Sequence, residues 1–304
     1  MQEIYTEDKY PGDNPRELFF NKLSPVAYVI VVLAIIFLLY QLIGSGVAFL
    51  AAGGDTENKA IMRMVLSAAQ YIFILLPAVI FTRLQKADLN TAFRLKLPKP
   101  VLLFLSVSGI ILIQPFLQGY INLQDYLINN ITPLRDILKP LKEIFDLLEQ
   151  STLKIVKAYS LYEFIIVVFV ICITPAICEE ILFRGFVLYN LGRVMKASIS
   201  ILISGLLFSV YHFQPFNIIP LMILGSYLGF IVYFSGSIWT GVVCHFLNNF
   251  MATYFLYASG KDRFEVPALS SDNLVAVFVT TTVSLLIFIA LVYLYYRMRD
   301  VTEV

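Results

Sequence analysis

Long apolar runs alternate with short polar connections along most of the chain. A helix needs roughly 20 consecutive apolar residues to cross the hydrocarbon core of a bilayer, and about eight runs of that kind follow one another. They lie at about 25–50, 62–82, 101–118, 160–190, 197–213, 216–234, 237–258 and 273–297. The pattern predicts an all-α polytopic membrane protein with about eight transmembrane helices.

Composition excludes a soluble protein and gives no sign of a nucleic-acid partner. The hydrophobic residues make up 59% of the chain and the charged residues 14%, with a mean hydropathy of +0.80. The 22 basic and 21 acidic residues give a formal net charge of +1, so the basic patch that nucleic-acid binding needs is not expected. The cysteines lie inside apolar runs and share no metal-ligand spacing, so we expect them to be small buried hydrophobic residues.

The charges between the runs predict the orientation in the membrane. Lys and Arg collect in the connection at 83–99, after the fourth helix and at the carboxy-terminal end. The positive-inside rule then predicts that both termini are cytoplasmic. We expect a multi-pass protein of the plasma (inner) membrane. Lys59 and Arg63 lie on the opposite side under this assignment.

The chain divides into five predicted parts, and one of them differs from the rest. This part, 119–158, is a mixed-charge amphipathic insertion in which apolar residues recur at helical spacing. Thr132-Pro133 predicts the start of a helix within this part, and Pro140 predicts a kink or a split of that helix. It is either an interfacial helix on the membrane surface or a lid or substrate-guiding element. The other parts are a cytoplasmic tail (1–24), amino-terminal transmembrane helices (25–118), a membrane core (159–258), and a loop, last helix and tail (259–304).

Ionisable residues at bilayer depth are expensive and therefore indicate a functional site. Glu179, Glu180 and Arg184 lie within the fourth apolar run. Glu180 and Arg184 are four residues apart and can pair on one helical face. Glu179 is rotated about 100° from Glu180 and must find its partners on other helices.

Both histidines of the chain also lie in predicted membrane helices. They are His212 and His245, and Asn249 follows His245 at a spacing of four. Three helices thus carry polar groups that need partners in lipid, which predicts that they surround one intramembrane polar cavity. A purely structural role, an ion pair with interhelical hydrogen bonds, explains Glu180 and Arg184 but leaves Glu179 without a counter-charge.

These residue types in one cavity favour hydrolysis of an amide bond. Glu179 can take a proton from water, and His212 can position that water or carry the proton. Donors from His245 and Asn249 can stabilise the oxyanion of a tetrahedral intermediate. A proton-coupled transporter and a non-catalytic scaffold or immunity protein remain the alternatives, because Glu, His and Arg also build proton relays.

One difficulty concerns depth in the membrane. His212 lies near the end of its run, far from the depth of His245, if both helices span simply. The sequence at 213–216, Phe-Gln-Pro-Phe, predicts that the fifth helix stops within the membrane and that its break lines the cavity.

In these motifs the chain resembles the CPBP family of intramembrane proteases, which includes the type II CAAX prenyl endopeptidases and Abi-like bacteriocin-processing proteins. The family pattern is matched by Glu179-Glu180-x-x-x-Arg184, by Phe208-x-x-x-His212 and by His245-x-x-x-Asn249. The resemblance covers about residues 160–258.

The resemblance implies an intramembrane endopeptidase with Glu179, His212, His245 and Asn249 as catalytic residues. It gives Glu180 and Arg184 a supporting role. Its substrate would be a peptide or protein, hydrophobic or lipid-modified, met among membrane lipids. No cofactor is favoured, because an asparagine amide is a poor metal ligand. If the enzyme used zinc, the ligands would be Glu179, His212 and His245.

Overall fold

The computed structural model describes residues 23–54, 58–260, 269–270 and 273–301. The predicted tail at 1–24 therefore lies outside the described residues except for its last two positions, and so does much of the predicted loop after 259. Within the described ranges the chain forms ten helices and no strand. They are α1 (Pro25–Ala51), α2 (Lys59–Leu84), α3 (Leu89–Phe93), α4 (Pro100–Asn130), α5 (Thr132–Val156), α6 (Leu161–Gly192), α7 (Ala197–Tyr211), α8 (Pro215–Ser235), α9 (Ile238–Ser259) and α10 (Leu274–Val301).

The all-α prediction is confirmed, and each predicted apolar run lies in a helix. Six helices, α1, α2, α4, α6, α8 and α10, are long and apolar enough to cross a membrane by length and composition. The two others of the eight predicted spans, α7 and α9, are not among these six. Outward faces carry large exposed apolar side chains such as Leu50, Phe104 and Ile165, as a surface in contact with lipid would.

Two buried apolar clusters hold the helices together. One joins α1, α2, α6 and α7 through side chains that include Tyr28, Ile74 and Phe183. The other joins α4, α8, α9 and α10 and includes Leu228 and Tyr295. Helices α6 and α9 pack against each other between these clusters, which brings the polar residues of both helices to the centre of the bundle.

Small residues allow α7 and α8 to approach closely. A Cβ atom on Gly205 would lie 2.6 Å from the backbone nitrogen of Ser226, and one on Gly225 would lie 3.1 Å from the Cα of Gly205. Larger side chains at either position would push the helices apart, as at small-residue contacts between membrane helices generally. The close contact brings the backbone carbonyl of Gly225 to within hydrogen-bonding distance of α6.

A break follows the fifth apolar run, as predicted, and its position within the membrane stays a prediction. Helix α7 has 15 residues, so it is only about 22 Å long, whereas a hydrocarbon core is about 30 Å thick. Phe213 then adopts a left-handed φ of 53°, and α8 begins with a 3₁₀ turn at Pro215–Asn217. His212 therefore stands at the end of a short helix.

The amphipathic helix of the insertion, α5, starts at Thr132 as predicted, but the structure differs from the prediction in two ways. Helix α4 continues past residue 118 to Asn130, because its polar residues find partners; Gln124 Nε2 donates to the Phe216 carbonyl at 2.9 Å. The predicted split at Pro140 does not occur, and α5 runs through it. The carbonyl that loses its partner there belongs to Asp136, an exposed residue, so water can replace the missing donor.

The two basic residues that contradicted the predicted orientation dock α5 and the start of α6. Arg63 is 3% exposed and donates from Nε to the Ile155 carbonyl at 2.8 Å and from Nη2 to the Lys157 carbonyl at 2.6 Å. These carbonyls lie at the carboxy-terminal end of α5, where a cation is favoured. The ammonium of Lys59 lies 5.2 Å from the centre of the Tyr159 ring.

Candidate active site

The two adjacent glutamates lie in an irregular part of α6. A regular α-helical segment, Thr174–Glu180, is flanked by wider π-helical turns at Val168–Ile173 and Ile181–Val187. Such turns are frequent at functional sites. The side chain of Glu180 is fully buried, whereas that of Glu179 is 16% exposed.

The second glutamate is the centre of a buried ionic network. Glu180 Oε1 accepts a hydrogen bond from Arg184 Nη1 at 2.8 Å and lies 2.9 Å from His245 Nδ1. Arg184 also donates from Nη2 to the Gly225 carbonyl at 3.0 Å, and its guanidinium lies 4.5 Å from the centre of the Phe208 ring. A buried ion has no water to solvate its charge, so it needs several hydrogen-bonding and electrostatic partners within the protein.

The network fixes which nitrogen of His245 faces the first glutamate. A carboxylate oxygen that already accepts from arginine can only accept, so Nδ1 of His245 carries the proton that it donates to Glu180. Nε2 of the same ring lies 4.0 Å from Glu179 Oε2. In the neutral imidazole this nitrogen carries a lone pair.

His212 reaches the same carboxylate from α7. Its Nδ1 lies 2.8 Å from the backbone carbonyl of Phe208 and must donate to it, because a carbonyl only accepts. Its Nε2 lies 3.8 Å from Glu179 Oε2. Two imidazoles from different helices thus present the same type of nitrogen to one carboxylate oxygen.

Glu179 Oε2 is buried and accepts no hydrogen bond from any described residue. Its separations from the two imidazole nitrogens exceed the length of a direct N–H···O bond, about 2.7–3.2 Å. A water molecule between these groups could join all three. The structure therefore brings Glu179, Glu180, Arg184, His212 and His245 together, as the sequence predicted.

Asn249 lies beside this group but directs its amide elsewhere. Its Nδ2 donates to the Ile171 carbonyl on α6 at 3.1 Å, and its Oδ1 accepts from Asn248 at 3.2 Å. Asn248 in turn accepts from Gln114 Nε2 on α4 at 3.1 Å. In this arrangement Asn249 ties α9 to α6, while its predicted donation to an oxyanion stays a prediction.

Two residues shape the site that the sequence did not single out for this purpose. The ring of Phe208 lies 4.4 Å from that of His212 and 5.9 Å from that of His245, so it supports both imidazoles. In the sequence, the spacing of four residues between Phe208 and His212 indicated that these two rings lie on one helix face. A Cβ atom on Gly241 would lie 2.5 Å from Glu180 Oε2, so α9 needs glycine where it crosses the buried carboxylate.

The possible zinc ligands, Glu179, His212 and His245, face one another, and Glu179 Oε2 lies 3.8 Å and 4.0 Å from Nε2 of the two imidazoles. In the described part of the chain, no group of three or more His, Cys, Asp or Glu side chains has metal-binding separations.

Helix α5 covers the turn that follows His212. Phe145 packs its ring against Phe213 at 6.1 Å and Phe216 at 6.2 Å. Lys142 of α5 also lies 3.5 Å from Asp125 of α4. Helix α5 therefore contacts both α4 and the turn after His212. Both interpretations of this segment, an interfacial helix and a lid or substrate-guiding element, stay predictions.

The chain was compared with known protein families, curated proteins and solved structures. Residues 161–251 match the family model described as Rce1-like, type II CAAX prenyl endopeptidase Rce1-like, and this stretch is less than a third of the chain. Comparison with curated proteins found no match, and comparison with solved structures found none. The matched stretch runs from the start of α6 into α9 and contains every predicted site residue. The chain therefore carries a domain of the Rce1-like type II CAAX prenyl endopeptidase (CPBP/Abi) family at residues 161–251.

Proposed function

We propose that this protein is an intramembrane endopeptidase that hydrolyses a peptide bond in a hydrophobic or lipid-anchored peptide, with Glu179 as the base that activates water. One observation carries the proposal. Glu179 Oε2 faces Nε2 of His212 at 3.8 Å and Nε2 of His245 at 4.0 Å, while Nδ1 of each ring is held by another acceptor. A water between these groups has a base and two orienting partners.

The chemistry follows from this placement. Glu179 removes a proton from water as the oxygen attacks the carbonyl carbon, and the proton then passes to the leaving amine. His212 stands at the open end of α7 and orients the water. A second proton on His245 would make Nε2 a donor to the oxyanion.

Glu180, Arg184 and Asn249 support the reacting groups. The buried ion pair holds the imidazole of His245 in one tautomer and one orientation. Asn249 keeps α9 at a fixed distance from α6 through the Ile171 carbonyl. Groups held in advance need little reorganisation when charge develops, and that is the largest source of rate acceleration in many enzymes.

The surroundings of the site suit an apolar substrate. A cavity of about 410 Å³ lies between α4, α5 and the turn after His212, lined mainly by apolar side chains such as Leu127, Leu138 and Phe216. Pockets of this size hold small organic ligands. We propose that α5 guides a hydrophobic or lipid-modified peptide from the bilayer towards Glu179. The proposal includes a multi-pass location in the plasma (inner) membrane with both termini cytoplasmic.

The test compares the membrane proteomes of cells that carry the native protein, Glu179→Gln or Glu143→Gln, at matched protein levels. Glu143 is an exposed carboxylate on α5, so its variant controls for loss of a negative charge. Peptide termini present with the native protein and Glu143→Gln should vanish with Glu179→Gln. Identical termini in the three kinds of cells would contradict the proposed hydrolase activity. A carrier would instead lose the pH dependence of transport in Glu179→Gln, and a scaffold would keep its phenotype.

A further inference from the structure

A second set of buried polar atoms lies near Glu179, on helices α2 and α7. His212 is the only proposed catalytic residue that these two helices position. Gln70 of α2 is 6% exposed. Its Oε1, the hydroxyl of Tyr211 on α7 and Glu179 Oε2 are all buried, and none has a hydrogen-bond partner among the described residues. Gln70 lies outside the stretch that matches the family.

Tyr40 of α1 connects these groups. Its side chain interacts with Gln70 and lies within electrostatic range of Glu179. Tyr211 lies within electrostatic range of both Tyr40 and Glu179. The ring of Tyr211 is fixed edge-to-face, 5.4 Å from that of Phe183. We call these four polar side chains the tyrosine cluster: Tyr40, Gln70, Glu179 and Tyr211.

The unpaired atoms of the cluster complement the hydrogen-bonding capacity of water. Glu179 Oε2 and Gln70 Oε1 are acceptors, and the Tyr211 hydroxyl is a donor. Buried water typically makes about three hydrogen bonds to groups that the protein itself leaves unpaired. We infer that the tyrosine cluster binds water within the bundle and supplies Glu179 with the water that it activates.

This inference rests on the proposed function and extends it to the origin of the reactant. Each turnover consumes one water. Its O–H proton passes to Glu179, its oxygen bonds to the carbonyl carbon, and the C–N bond breaks as the amine takes that proton. The neighbouring helices carry apolar surfaces towards lipid. Water held at Tyr211 and Gln70 can replace the molecule consumed.

Hydroxyl-radical labelling by pulsed X-rays, with the full-length protein in lipid nanodiscs, tests the hydration directly. Bound water generates radicals locally, so we expect Tyr211 and Tyr40 to be labelled several-fold more than Tyr28, whose hydroxyl already donates to the Phe81 carbonyl. Gln70→Leu should reduce this labelling. Labelling of Tyr211 and Tyr40 no higher than that of Tyr28, or unaffected by Gln70→Leu, would overturn the inference.

Catalysis gives a second, separate test. Tyr211→Phe removes only the unpaired hydroxyl and should lower kcat about tenfold with little change in KM, as expected for loss of one hydrogen bond. The control, Tyr227→Phe, removes a buried hydroxyl that donates to the Ser106 carbonyl, and should leave kcat unchanged. The substrate is a peptide that spans a Glu179-dependent terminus.

The outcomes distinguish the inference from the proposed function. Hydration of the cluster with wild-type kcat in Tyr211→Phe would overturn the role in supplying water. Cleavage that persists in Glu179→Gln would overturn the proposed function, and the labelling would still report whether the cluster holds water.

Discussion

Nδ1 of His245 on α9 lies 2.9 Å from Oε1 of Glu180 on α6, and this one contact orients the imidazole towards the neighbouring Glu179. The same oxygen accepts from Arg184, whose side chain is fully buried. In the proposed function, Glu180 thus serves both stability and catalysis. Removing its charge should affect both properties, and the two effects can be separated.

Glu180→Gln should destabilise the protein by about 3–5 kcal/mol, because it leaves the buried guanidinium of Arg184 without a counter-charge. The double variant Glu180→Gln/Arg184→Met should recover most of that loss, because both charges are gone. Its activity should stay below that of the native protein, because His245 loses its charged acceptor. Thermal unfolding of the purified protein and the yield of Glu179-dependent termini measure the two effects. Full activity in the double variant would contradict the orienting role.

Gly241→Ala should impair the site through a steric effect. The added Cβ would lie 2.5 Å from Glu180 Oε2 and 2.6 Å from Val232 Cγ2, and overpacking of this kind costs about 1–3 kcal/mol. The control is Gly229→Ala on α8, where the nearest atom would lie at 3.5 Å. We expect a lower melting temperature and less product for Gly241→Ala alone. Equal behaviour of the two variants would show that the close contact has no consequence.

Phe145→Ala should reduce activity several-fold, since each aromatic pair contributes about 0.5–1.5 kcal/mol and this ring pairs with Phe213 and Phe216 next to His212. Ile137→Ala on the same helix is the control, because Ile137 is 72% exposed. The measurement is product yield at matched protein levels. Similar yields from both variants would mean that α5 does not support the turn.

The docking of α5 should depend on pH through Glu149. Burial, and then the nearby Asp146, raise the pKa of this carboxyl; Lys142 opposes the shift and Asp125 adds to it. A raised pKa means that the folded state holds the proton more tightly than the unfolded state. Stability therefore increases as pH falls through the folded-state pKa towards the unfolded value of about 4.3.

We expect amide exchange in residues 132–156, corrected for intrinsic rates, to be slower at about pH 5 than at about pH 8. Glu149→Gln should remove most of this difference, because the amide does not titrate. Glu143→Gln, an exposed position on the same helix, should retain it. A difference that survives in Glu149→Gln would assign the pH dependence to another group.

Much of the site could be predicted because polar residues are rare in an apolar chain. A spacing of four residues was enough to pair Glu180 with Arg184, and lone histidines in two other helices had to find partners. The break after His212 followed from a single proline and the depth of His245. These are local signals, and the structure places the residues accordingly.

The remaining features depend on contacts between distant parts of the chain. Arg63 lies on the wrong side of the membrane under the orientation predicted from the sequence. Its contact with the Ile155 carbonyl, 92 positions later, explains its location. The amide of Asn249 has several acceptors within reach of its helix face, and the sequence cannot select the Ile171 carbonyl. Gln70 carries no local pattern, because its neighbours in the tyrosine cluster come from other helices.

The most direct test of the account is cleavage by purified protein in lipid nanodiscs, in water enriched in ¹⁸O, of a peptide that spans a Glu179-dependent terminus. The native protein should incorporate ¹⁸O into the new terminal carboxylate, because water supplies the oxygen that attacks the carbonyl carbon. The Glu179→Gln variant, with the same melting temperature as the native protein, should form no product. Product at the native rate from Glu179→Gln would contradict the claim that Glu179 activates the water.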